Sequence, residues 1–134
     1  MLTDLEGQEL KNIFLERSKD EGLYAELERR HTEPQRFYHT LKHLLELFRL
    51  LRPLENQLEH PEAVFWAVWF HDSIYDPRAS DNEEKSAALV LEHLIFLKPE
   101  TLERVSNLIL CTETHQALEP DGKILLDADL SILG

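Results

Sequence analysis

The 134-residue sequence has only one cysteine, Cys111, so it can form no disulfide within the chain. Nothing in it calls for an oxidising compartment. It also lacks a secretion signal: Met1–Glu9 carries acids rather than a basic segment followed by an apolar one. No uninterrupted apolar stretch is long enough to cross a bilayer. Together these absences predict a cytoplasmic protein with no membrane partner. Positive charge is scarce too. The formal net charge of −12 repels polyanions, and the basic residues are scattered rather than gathered on one stripe, which argues against long nucleic acids as partners. A small phosphorylated molecule remains compatible, because a bound cation and a few local basic groups can invert the potential inside one cleft. Alternating β-branched residues, internal repeats, low-complexity tracts and interdomain linkers are all missing.

What is present describes one folded, all-α domain spanning 1–134. Hydrophobic residues make up 43% of the chain, enough apolar surface to offset the entropy of ordering. Thr3 and Glu6 have capping-box spacing, and Leu10, Ile13, Phe14, Leu23 and Leu27 recur at helical intervals, predicting one or two N-terminal helices. Pro34 should interrupt the chain. An amphipathic helix is expected from Tyr38 to near Pro53, with His39 and His43 on one face. Ala63–Phe70 is apolar almost all round, the pattern of a buried helix, and it leads into His71 and Asp72. After a loop from Ser73 to Ser80, Asp81 and Glu84 repeat the capping-box spacing, opening a helix expected to reach about Leu97. Pro99 starts another that runs toward His115. Ala117–Gly122 has loop composition, and a last helical segment follows from Ile124. This makes about six or seven helices. The apolar pattern is still running at Gly134, so the chain is expected to be truncated at its C-terminus.

His71 and Asp72 sit at the edge of the most apolar segment, where polar groups need partners. Each could satisfy backbone groups at a helix end. For the adjacent pair a divalent metal is the better account, since imidazole and carboxylate are its standard ligands. His39 and His43, one helical turn apart, can approach a common point, although His43 could equally back up such a site or pack against it. Asp127 and Asp129 interrupt an apolar segment, and burying both as bare charges would cost several kcal/mol each. A cation removes that cost, but two residues apart on a helix they point in different directions, so at most one is a direct ligand.

The succession of His39, then His71-Asp72, then Ala128-Asp129 resembles the H…HD…D signature of the HD superfamily of metal-dependent phosphohydrolases. More narrowly, Arg36–His43, Trp69–Asp76, Asn82–Ala87, Thr112–His115 and Leu126–Gly134 resemble a small group of predicted metal-dependent HD phosphohydrolases. That group usually continues past the Leu-Gly ending. The resemblance implies a compact HD-domain helical bundle with His39, His71, Asp72 and Asp129 as metal ligands. It favours Asp129 over Asp127, because the superfamily's last Asp usually follows Ala.

Two His and two carboxylates leave open positions on a metal that prefers five or six ligands, an arrangement that is catalytic rather than structural. Such an ion lowers the pKa of its water, neutralises phosphoryl charge and holds both for in-line attack. Mn, Fe, Zn, Ni and Mg all suit mixed N and O ligands. Asp72 is then both ligand and catalytic residue. Glu83, at the opening of the helix after the HD loop, is a candidate for orienting water, although acids in a first turn also favour the helix dipole. Asp76 could bond a ligand His or begin a turn. Arg36, Lys42, Arg78 and Lys85 are candidate phosphate contacts, Arg36 foremost. His115 is a candidate for substrate or a second metal, or a helix-end His facing the dipole. Phe65, Trp66 and Trp69 read as core, and His31, His60 and His93 as surface. The expected activity is hydrolysis of a small phosphate ester or nucleotide-like substrate. A non-catalytic metal- or nucleotide-binding regulatory module is the alternative. A di-iron helical bundle fits less well, because such sites favour Glu over Asp.

Overall fold

The first helix, α1 (Asp4–Leu15), starts where the capping box places it. The Thr3 hydroxyl accepts the Glu6 N–H, and the Glu6 carboxylate accepts the Thr3 N–H, both at 3.1 Å. A computed structural model describes residues 2–32, 40–73, 80–117 and 119–133 of the chain. Among them seven α-helices and one 3-10 helix form, with no strand. After α1 come α2 (Glu21–Arg30), capped by Asp20, and α3 (Leu41–Leu51), which gives way to the 3-10 helix Arg52–Gln57 around Pro53. Then follow α4 (Pro61–Phe70), α5 (Asn82–His93), α6 (Pro99–Thr114) and α7 (Pro120–Leu133). No helix among the described residues is long and apolar enough to cross a membrane.

The apolar run expected to be buried is buried: every residue from Ala63 to Phe70 on α4 is. Around it pack α3, α5 and α6, while α7 lies against α3 and α6. Phe14 of α1 closes the aromatic part of the core. Its ring lies 5.3 Å from those of Tyr24 and Trp69 and 5.8 Å from that of Trp66. Phe65, Trp66 and Trp69 are therefore core, as their setting in the sequence implies. Outside the core, α1 is held to α3 and the 3-10 helix by ion pairs of Glu6 with Lys42, Glu9 with Arg49, and Glu16 with Arg52.

Several local expectations need correction. The fifth helix ends at His93, not near Leu97: Leu94 has already left helical geometry (φ −114°, ψ 29°), and the chain turns before Lys98 extends (φ −61°, ψ 147°) into Pro99. The Asp81 side chain makes no capping bond; it lies 3.6 Å from Lys85 instead. The stretch taken as a loop to Gly122 is already helical from Pro120, whose fixed φ suits a first helical position. Gly122 allows a close approach there, since an added Cβ would lie 3.0 Å from the Ala117 Cβ, a tight contact. His31 is not a surface histidine. It is buried at the end of α2, with Nδ1 2.8 Å from the Leu27 carbonyl.

Candidate metal centre

Three helices bring four polar side chains to one buried point. His43 comes from the first turn of α3, after the N-cap Thr40. His71 is the C-cap of α4, and Asp72 follows it in the turn that Ser73 closes by donating to the Phe70 carbonyl at 2.7 Å. Asp129 comes from α7. All four are under 9% exposed: His43 3%, His71 2%, Asp72 8% and Asp129 6%. Asp127, about 200° away around the same helix, is exposed. Burial thus separates the two aspartates that spacing alone left open.

The contacts among the four are short. His43 Nε2 donates to Asp129 Oδ1 at 2.9 Å and lies 3.8 Å from Asp72 Oδ2. His71 Nε2 is 2.8 Å from Asp72 Oδ2 and 3.6 Å from Asp129 Oδ1. On the other side of the ring, His71 Nδ1 donates to the Val68 carbonyl at 2.8 Å. That bond fixes the tautomer, so in the neutral ring Nε2 carries a lone pair. This buried nitrogen also lacks the alignment of a hydrogen bond to either carboxylate. A lone pair facing two carboxylates is repulsive unless a proton or a cation lies between them.

Without a cation the proton does this work. Burial opposes charge on His71, but the Asp72 charge and the closeness of both carboxylates to Nε2 hold its pKa well above 6.5. Burial likewise pushes the Asp129 carboxyl up, yet the hydrogen bond from His43 and the nearby His71 imidazole outweigh it and leave the pKa below 3.8. Three of the four, His43, His71 and Asp72, are also arranged so that they could hold a divalent ion, with Asp129 bonded to His43 beside them. His43, His71 and Asp72 each place one donor atom within 4.8 Å of the others. Donors bonded at about 2.1 Å stand about 3.0–3.4 Å apart in octahedral or tetrahedral sites. The four imidazole–carboxylate separations, 2.8, 2.9, 3.6 and 3.8 Å, bracket that spacing.

No family model, curated protein or solved structure matches the chain. The geometry and the residues therefore carry the functional reading.

Of the ligands the resemblance implies, His71, Asp72 and Asp129 come together, and His39 lies outside the described residues, as do Arg36, Asp76 and Arg78. The structure adds His43. Its helical position and apolar neighbours fit packing as well as ligation, and the structure places Asp129 across from it at 2.9 Å. Glu83 lies in the first turn of α5, with its side chain outside the described atoms. His115 is the C-cap of α6, in left-handed conformation (φ 56°), with its side chain exposed. Thr112 spends its hydroxyl on the Ile109 carbonyl at 2.6 Å. Lys42, offered as a phosphate contact, is ion-paired with Glu6 instead. Cys111 also feels the charges of this group. Burial and then the Asp129 charge push its thiol up, with His71 opposing, so it stays protonated beside the site. None of the four donors lines the cleft whose walls include Phe48, Leu51 and Phe65 together with Glu16, Arg17 and Arg52.

Proposed function

We propose that the chain is a metal-dependent hydrolase of a small phosphate ester or nucleotide-like substrate, with a divalent ion held by His43, His71, Asp72 and Asp129. The observation that carries this reading is His71. Its Nδ1 is committed to the Val68 carbonyl, and its Nε2 is directed at two buried carboxylates and a second imidazole. A histidine oriented by a backbone carbonyl on one nitrogen and free to ligate through the other is a common arrangement in metal sites. The sequence order His39, His71-Asp72, Asp129 and its resemblance to the HD superfamily signature, which does not include His43, favour phosphoryl chemistry over other uses of such an ion.

A bound ion would supply an acidified water and charge neutralisation for the phosphoryl group. The protein supplies the rest. Asp72 and Asp129 bring the negative charge that makes a divalent cation favourable in a buried place. Val68 holds the His71 ring in the ligating tautomer. His39 and Glu83, from the resemblance, are the further candidates for completing the ligand set and moving a proton, and Arg36 and His115, from their places near the motifs, for holding substrate.

The test is release of inorganic phosphate from a panel of phosphomonoesters and nucleotides by protein loaded with Mn, Fe, Zn, Ni or Mg. Turnover that disappears in both His71→Ala and Asp72→Ala supports the proposal. Full activity in either variant contradicts it. Bound metal without turnover on any substrate would replace it with a metal- or nucleotide-binding regulatory module.

A further inference from the structure

Asp121 is the least exposed carboxylate among the described residues, at 2%, and lies outside the four-residue group. Its Oδ1 accepts the Glu59 N–H at 2.7 Å, and its Oδ2 accepts the His60 N–H at 2.8 Å. His60 is the N-cap of α4, so the carboxylate also sits at the positive end of that helix dipole. Two charge-assisted bonds to backbone fix both the direction and the depth of a side chain.

The place of this bond in the fold gives it a consequence for the metal centre. Asp121 occupies the first turn of α7, and Asp129 follows on the same helix, about 12 Å further along and about 80° around. The main helical neighbours of α7 are α3 and α6, not α4. The helix that carries Asp129 and the helix that ends in His71 and Asp72 are thus joined at their starts by Asp121 and meet again at the donor group. A helix pinned at one end and packed on other neighbours can rotate or slide slightly if the pin is lost. Small displacements matter where donors must stay within a few tenths of an ångström of ligating positions.

We propose that Asp121 is a positioning residue for the metal centre, setting the rotation and axial position of α7 that bring Asp129 to His43 and His71. The proposal rests on the metal-binding reading above. Its test is a Co2+ titration of the full chain carrying Asp121→Asn, which keeps the shape but turns an amide donor toward a backbone N–H. Where circular dichroism shows the variant folded at the assay temperature, Co2+ affinity should fall about 10- to 100-fold, the range typical of groups that orient ligands. Affinity unchanged within about twofold in the folded variant overturns the proposal. If Asp121→Asn does not fold, Asp121→Ser, which retains one acceptor, serves for the same titration.

A second readout separates this proposal from the reading it rests on. The ring 15N shifts of His43 and His71, recorded on metal-free wild type and variant at one pH, should differ if α7 has moved. Unchanged shifts overturn the positioning role. Failure of the wild type to bind Co2+, with the shifts still moved, overturns the metal-binding reading and leaves the role of Asp121 in setting the His43–Asp129 contact. A purely stabilising Asp121 would lower the melting temperature and move neither readout.

Discussion

His43 Nε2 and Asp129 Oδ1 are 2.9 Å apart although 86 residues separate them in the chain, and this contact ties α3 to α7 at the candidate metal centre. Removing the imidazole should therefore affect metal binding as strongly as removing His71. His43→Ala is expected to lower divalent-ion affinity at least ~10-fold, measured by calorimetric titration of metal-free protein. Unchanged affinity would assign His43 to packing alone.

The acid and alkaline limbs of stability should differ in origin. In metal-free protein, the lowered pKa of Asp129 contributes stability that is present above its ordinary value of 3.8 and lost as the pH falls toward the folded value. The raised pKa of His71 contributes stability that is complete below 6.5 and lost as the pH rises through the folded value. Denaturant unfolding across pH should show a maximum between these limits, and His71→Gln should remove the decline on the alkaline side. With a divalent ion in excess the alkaline trend should reverse, because the ion requires neutral imidazoles and its affinity rises as they lose protons.

His115 adopts a left-handed conformation that favours glycine. His115→Gly should raise stability by roughly 0.5–1 kcal/mol in thermal unfolding, the usual gain from relieving such a residue less the added flexibility of the unfolded chain. Metal affinity should not change. A fall in turnover with metal affinity intact would support the substrate role for which its place after Thr112 makes it a candidate.

Phe14 is fully buried among Tyr24, Trp66 and Trp69, so Phe14→Ala should cost about 3–5 kcal/mol by denaturant titration. A cost under about 1 kcal/mol would mean that the N-terminal helix is not part of the cooperative core.

The sequence was informative where the determinant is local. Thr3 and Glu6 cap within one turn, Pro99 can only begin a helix, and the unbroken apolar run before His71 leaves no solvent face. It was ambiguous where the determinant is a distant neighbour. Asp127 and Asp129 have equivalent local settings, and only the packing of α7 makes one exposed and the other buried. The charged neighbours of His31 point to the surface, yet the end of α2 is covered. Asp121 has no signature at all, because its partners are backbone N–H groups about sixty residues away, and proline, aspartate and glycine together read as a turn.

The central claim is that His43, His71, Asp72 and Asp129 bind a divalent ion, and calorimetric titration of metal-free protein with Mn2+, Fe2+, Co2+, Ni2+, Zn2+ and Mg2+ tests it most directly. Saturable binding of at least one of these ions to the wild type, lost in both His71→Ala and Asp72→Ala while the fold is retained, is the predicted result. No binding of any of the six by the wild type, or equal binding by the folded variants, would contradict it.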